Sequence, residues 1–353
     1  MRRFFAFLLF SITLNSVHAQ VNIDIPKDYN VKIKIPGAWI EKLKHFDYTR
    51  KDSMQLIEFK NIIKPDTITN PHWQHVDEGY GSVFNAMQVN LDGDSTNEIL
   101  CLLGWDISSP YLSLLKQEQG SWYLIYLEKI DTFYSSPTLY VANCFSRNKT
   151  FYLKRVYDHG SGIYIDGYTF YKLINGKVYH CLDLINDAHI YGWGLYMNQA
   201  IKLNVEFSGD DSDELGADYT YDFFPGAVNK KDCPWCANKD VSIIKGEDNV
   251  SYDWNPEHHS YELNIPKYKN NADDLTASKI ACFGDFGNDT LFVRAFKGQI
   301  DEILKEGTAQ QKMILKRYLA LVKKDKTART DELEVTTQTE GTTFYGIKKK
   351  KKK

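Results

Sequence analysis

Short runs in which apolar and polar residues alternate dominate the chain. They include "SWYLIYLEKI" (121–130), "TFYLKRVY" (150–157) and "GIYIDGYTFYKL" (162–173). A period of two, rich in aromatic and β-branched residues, predicts half-buried strands. Turn residues punctuate these runs: "KQEQGS" (116–121), Asn175-Gly176, and "GDFGND" (284–289) between "KIACF" and "TLFVRAF". Asn-Gly flanked by alternating apolar residues is the strongest hairpin signal among them. The pattern changes only near the end, where "GQIDEILKEG" and "TAQQKMILKRYLALVKK" place Ile300, Ile303 and Leu304, then Ile314, Leu315, Tyr318, Leu319 and Val322, on one helical face. Gly307 stops the first helix, and Thr308 with Gln311 forms a capping box for the second, which predicts a helical hairpin over 297–325. From Lys326 to Lys353 the composition loses all periodicity and predicts a disordered, Lys-rich tail.

The first 19 residues read as a signal peptide. Arg2 and Arg3 precede an apolar run from Phe4 to Leu14, and Val17-His18-Ala19 is a small-x-small cleavage site, so cleavage is expected after Ala19. That run is about half the roughly 20 residues a bilayer span needs, and no other stretch approaches it. The reading is a secreted or periplasmic protein with no membrane span and a body over 20–296. The sequence carries 43 basic and 46 acidic residues; without the leader arginines and the lysines Lys348–Lys353, the basic count falls to 35. A body this acidic does not suit a phosphate backbone, so nucleic acid is excluded as a partner. The terminal lysines suit either an anionic surface or a solvated appendage, and their role stays open.

Six cysteines in an exported chain permit disulfides without making them the framework. Cys233-Pro234-Trp235-Cys236 has the spacing of thiol oxidoreductases, but no amphipathic helix follows to lower the pKa of the first sulfur. A disulfide between Cys233 and Cys236 at a hairpin tip is the preferred reading, with the pairing of Cys101, Cys144, Cys181 and Cys282 left open. No second Cys-x-x-Cys completes a zinc site. His72 with His75, and Glu257-His258-His259, read as surface histidines beside aromatic neighbours. Asp158-His159-Gly160-Ser161-Gly162 reads as a hairpin turn, because sequence neighbours on a strand point to opposite faces. No glycine loop leads into a helix to hold a phosphate.

The clearest chemistry lies in "NLDGDSTNEI" (90–99). Oxygen side chains fall at Asn90, Asp92, Asp94 and Glu98, with Gly93 allowing a tight curl and Thr96 placed to give a carbonyl. Alternate oxygens of this kind suit a calcium ion, or form a solvated acidic turn. An EF-hand is excluded, since Ser95 stands where that loop needs glycine and Cys101 where it needs glutamate. "EFSGDDSDEL" aligns without a gap and places Glu206, Ser208, Asp210, Ser212 (carbonyl) and Glu214 in the same positions, starting 116 residues later. The turns near 119, 176 and 287 are 57 and 111 residues apart, which suggests a repeat of similar length, its missing turn near 232.

These two stretches resemble the calcium loops of FG-GAP and VCBS repeats, the blade units of integrin-α-type β-propellers. The resemblance implies blades of about 60 residues, structural Ca2+ and extracellular ligand binding. It weakens at Ser208, where the family has Asn or Asp, and near residues 147 and 264, where acidic ligands are missing or sparse. The expected fold is therefore mainly β, an irregular propeller-like array of about five β blades with a small C-terminal helical hairpin. The expected function is an exported, non-catalytic binding or structural module acting on an unknown protein or surface ligand. An exported thiol-disulfide oxidoreductase using Cys233 and Cys236 is the alternative.

Overall fold

The computed structural model describes residues 28–44, 59, 61–63, 84–104, 110–130, 132, 137–142, 148–160, 162–190, 197–208, 212–225, 242–264, 278–283 and 288–324. The predicted leader, the segment after 325, His72, His75, Cys144, Asp210, Cys233 and Cys236 lie outside them. The fold is mainly β. One sheet contains β1 (Asn30–Ile35), β2 (Phe84–Val89), β3 (Glu98–Leu103), β4 (Tyr111–Glu118) and β5 (Ser121–Lys129), ordered β1-β5-β4-β3-β2. The second contains β6 (Thr138–Val141), β7 (Thr150–Gly160), β8 (Ile163–Ile174), β9 (Lys177–Ile190), β10 (Met197–Phe207), β11 (Glu214–Pro225), β12 (Ile244–Asn255) and β13 (Ser260–Leu263), paired in simple sequence order. All pairings are antiparallel.

Two hairpin turns form where the sequence places them. Gln119-Gly120 and Asn175-Gly176 both hold positive φ at two successive residues, +49° and +77°, then +50° and +76°. That geometry matches the right-handed twist of the flanking strands. Their closing pairs are Glu118 with Ser121 and Ile174 with Lys177.

Three cores stack the layers. On one face of the first sheet, Ile99, Cys101 and Leu103 pack against Ile40 and Leu43 of α1 (Gly37–Lys44) and against Phe59 and Ile63. On its other face Leu100, Leu102, Leu112 and Leu114 meet Phe151, Leu153, Tyr171 and Leu173 of the second sheet. β3 is therefore covered on both sides, which is why "EILCLL" shows no alternation and every residue of it is buried. The third core joins the second sheet to the C-terminal helices α2 (Asp289–Ala295), α3 (Lys297–Glu306) and α4 (Ala309–Lys324). There Phe223 meets Phe292 and Phe296 edge-on, at ring separations of 4.7 and 4.9 Å.

A polar network crosses the junction of the sheets. Tyr126 and Tyr171, one from each sheet, both donate to Glu128 Oε2 at 2.8 Å. His180 stacks on Tyr171 with ring centroids 5.5 Å apart. Its Nε2 approaches Asp183 Oδ2 at 2.8 Å, out of line for a hydrogen bond but close for an ion pair. Burial disfavours the imidazolium, but the Asp183 carboxylate, aided by Glu128, outweighs it and holds the His180 pKa above its ordinary value.

Several expectations need correction. In place of about five blades, the described strands form two sheets, and no propeller closure is present among them. Among the described residues, pairing runs without a break from β6 to β13, with strands of up to 14 residues, so a division of this sheet into separate blades is not shown. "KIACF" and "TLFVRAF" are not a strand pair: residues 278–283 are helical and α2 covers the second segment. Asn288 caps α2 by accepting from Leu291 N at 3.0 Å. The described residues on both sides of the predicted turn near 287 are therefore helical, which removes a rung from the inferred turn spacing. α1 and the helical residues near 60 were not anticipated, because Pro36-Gly37 and the short apolar spacing of Ile40 and Leu43 carry little periodic signal. The capping box is present, with Gln311 Oε1 accepting from Thr308 N at 3.0 Å and Thr308 Oγ1 from Gln311 N at 3.2 Å. No helix among the described residues is long and apolar enough to cross a membrane.

Two predictions test this packing. Leu112→Ala, in the core between the sheets, should cost about 2–5 kcal/mol in urea unfolding, whereas Met313→Ala, at a residue 64% exposed, should stay within about 0.5 kcal/mol. The raised pKa of His180 means the folded state holds its proton more tightly than the unfolded chain. This part of the stability is complete below about pH 6.5 and lost as pH rises through the folded value. Thermal unfolding from pH 6 to 9 should show that loss in the wild type, and His180→Gln should flatten the profile.

Candidate functional site: two acidic hairpin loops and buried lysines

The first acidic loop joins β2 to β3, with Val89 opposite Glu98 as the closing pair. Its curl is local chemistry. Asn90 Oδ1 accepts from Gly93 N at 2.6 Å, and Asn90 Nδ2 donates to Asp94 O at 2.5 Å. Asp92 Oδ1 accepts from Asp94 N at 3.2 Å, and Asp94 Oδ1 from Thr96 N at 2.7 Å and Thr96 Oγ1 at 2.8 Å. Glu98 Oε2 closes the loop by accepting from Leu91 N at 2.8 Å. Gly93 holds φ at +73°, the conformation a tight curl requires.

One oxygen from each carboxylate is left, and the three converge to within 4.8 Å of one another. The point they share is taken by Lys116. Its Nζ lies 2.7 Å from Asp92 Oδ2, Asp94 Oδ2 and Glu98 Oε1, so all three donors of the ammonium are used. The lysine arrives through sheet register: Ile99 pairs with Leu115, which sets the next residue of β4 beside Glu98.

The electrostatics follow from this geometry. Hydrogen bonding from Lys116, then from Thr96 N, draws the Asp94 pKa down to about 2. Glu98 is wholly buried, and desolvation pushes its pKa up despite the bonds from Leu91 N and Lys116. Burial opposes the charge on Lys116, but three carboxylate hydrogen bonds overcome it and raise its pKa above the usual lysine value.

The resemblance implies calcium at this loop. Asp92, Asp94 and Glu98 supply three oxygens, where calcium takes six to eight at about 2.3–2.6 Å. Asn90 Oδ1 is already engaged by Gly93 N. The donor set therefore suits a cation, while the space for it holds an ammonium; calcium and Lys116 in its present position do not fit together.

The second loop departs from the first. β10 stays in the ladder to Phe207, opposite Leu215, with Glu206 opposite Gly216. Glu206 is thus an exposed strand residue, and Asn204 Nδ2 donates to its Oε1 at 3.4 Å. Ser208 Oγ donates to Glu214 Oε2 at 3.0 Å, and Ser212 is buried. Asp210 lies outside the described residues. The Ser212 carbonyl accepts from Tyr261 OH, so it is not free for an ion. Here too a lysine stands in: Lys172, fully buried, binds Asp213 Oδ1 and lies over the rings of Trp254 at 4.4 Å and Tyr261 at 5.2 Å.

The loops, far apart in sequence, meet around residues 148 and 149. Lys149 N donates to Leu91 O at 2.8 Å, and Ser212 Oγ donates to Asn148 O at 2.9 Å. Thr150 Oγ1 and Tyr261 OH, 2.6 Å apart, extend the chain of contacts. Among the described residues, Asp92, Asp94 and Glu98 are the one group placed to hold a metal ion. His258 instead pairs with Glu262 at 2.5 Å, and His259 stacks on Tyr179 with centroids 4.0 Å apart. Cys101, Cys181 and Cys282 are buried, and burial pushes the pKa of the first two far up. The sequence reading missed Lys116 and Lys172; a lone lysine in the mostly apolar run "YLSLLK" was the available signal for the first. No family model, no curated protein and no solved structure matches the chain.

The depressed pKa of Asp94 fixes a pH dependence. The carboxylate stabilises the fold fully above its unfolded value near 3.8, and this part is lost as pH falls towards 2. Glu98, whose pKa is raised, works in the opposite sense. Melting curves of the wild type and Asp94→Asn should therefore be well separated at pH 5 and converge near pH 2. A separation that stays constant over that range would contradict the ion pair.

Proposed function

We propose that the protein is an exported, non-catalytic binding or structural module that meets a protein or surface ligand through its loop-bearing end. The observation that supports this reading is the internal use of the charged groups: each inward oxygen of Asp92, Asp94 and Glu98 is bound by Lys116 or by loop backbone. Carboxylates so engaged are poor acids, bases or nucleophiles, and they hold a hairpin end in one shape. Ser208, Asp213 and Glu214 remain exposed beside it and offer a preorganised polar surface. The likeness of the first loop to FG-GAP and VCBS loops points the same way. Export rests on the leader, and the mature chain then begins at Gln20.

Two measurements check this. Amino-terminal sequencing of protein recovered outside the cytoplasm should start at Gln20. Native protein, reduced and then assayed with a disulfide substrate, should not accelerate thiol-disulfide exchange over a Cys233→Ser/Cys236→Ser variant; a marked acceleration would establish an oxidoreductase in place of a binding module.

A further inference from the structure

We infer that Lys116 is the permanent cation of the first acidic loop, a tethered substitute that keeps divalent metal out and makes the hairpin insensitive to calcium. The inference does not depend on what the module binds. Three features of the loop support it. The ammonium makes three bonds of equal length to three different carboxylates, which is the full donor capacity of a lysine. Its side chain is 10% exposed and Glu98 is fully buried, so water reaches the site only from the side of Asp92 and Asp94, whose side chains are 16% and 44% exposed. The lysine is delivered by a strand of the same sheet, and flexible chain is not needed to bring it in.

Physical chemistry says why this excludes a metal. Three carboxylates this close repel one another unless a positive charge lies among them. A calcium ion would have to evict Lys116 from that position, break three charge-assisted hydrogen bonds and leave the ammonium to find solvent from a strand buried along most of its length. It would then gain the three converging carboxylate oxygens and need the rest of its six to eight ligands from loop carbonyls or water. A tethered ammonium has no dissociation to a bulk pool, so the loop is loaded at any calcium concentration. The second loop differs: Lys172 pairs with the single carboxylate of Asp213, and the rings of Trp254 and Tyr261 help to hold it.

The test compares the wild type with Lys116→Met in millimolar calcium chloride and in chelator. The wild-type melting temperature should agree within about one degree between the two, whereas a rise of several degrees in calcium would overturn the inference. Lys116→Met should melt many degrees lower than the wild type in chelator; an unchanged melting temperature would show that the ammonium is not the loop's cation. Should the variant fail to fold, acylation of the native wild type followed by peptide mass mapping gives a second reading. Lys32, 61% exposed, should be modified at least tenfold faster than Lys116, with or without calcium. Modification of Lys116 at the rate of Lys32, or its appearance only when calcium is added, would show that the ammonium leaves the site.

Discussion

Three carboxylates cannot share so small a space unless a cation sits among them, and the loop end of this molecule is organised around that constraint. Lys116 meets it from inside the chain. Glu98 is the first residue of β3, the strand covered on both faces. Its charge lies where the sheet enters its own core, and without the ammonium the cost of burying it would fall on that core. Removing one partner of a buried charge cluster leaves the others uncompensated, which typically costs several kcal/mol. The fold around β3 and the chemistry of the loop are therefore one problem with one solution.

The same end ties the two sheets together. Leu91 lies between partners: its N–H serves Glu98 and its carbonyl receives Lys149 N. Asn148, one residue earlier, takes the hydroxyl of Ser212, so a single dipeptide is fastened to both loops. Apolar packing between Leu100, Leu112, Phe151 and Tyr171 holds the sheets face to face but has no preferred direction. Hydrogen bonds at the loop end do have direction, and they fix where the faces stop.

What could be read from the sequence follows the range of each interaction. Two-residue turns such as Asn175-Gly176 and the Thr308/Gln311 capping box depend on neighbours, and both are legible. The acidic loop was legible as a curl because Asn90, Gly93, Asp94 and Thr96 bond within a few residues of each other. Its cation was not, because Lys116 comes close to Glu98 only through strand register. Alternation tells which face a residue takes but not which strand lies next, so two sheets of five and eight strands could pass for a series of blades. The second loop failed for a local reason that spacing cannot show: β10 keeps Glu206 in the ladder, away from the turn. Short apolar runs were the remaining weakness, since four or five apolar residues fit a strand or a helix equally well. "KIACF" and "TLFVRAF" became helices because their apolar residues face one core of aromatic rings, with Phe283, Phe292 and Phe296 gathered against Tyr221 and Phe223.

Fixed internal charge recurs away from the loops. At the junction of the sheets the Glu128 and Asp183 carboxylates lie near the Arg155 guanidinium and the His180 ring, whose pKa the Asp183 carboxylate raises against the effect of burial. The Arg155 guanidinium lies 4.7 Å from the centre of the Tyr157 ring. Glu128 takes one hydroxyl from each sheet, so a slip of one sheet against the other would strand a carboxylate and two tyrosines in an apolar interface. Such groups add little net stability, because desolvation offsets much of their attraction, but every alternative register leaves one of them unpaired. Lys116, Lys172 and Arg155 thus share one role. Each supplies a cation that cannot diffuse away: Lys116 to three carboxylates, Lys172 to Asp213 alone, and Arg155 to the field of Asp183 and Glu128.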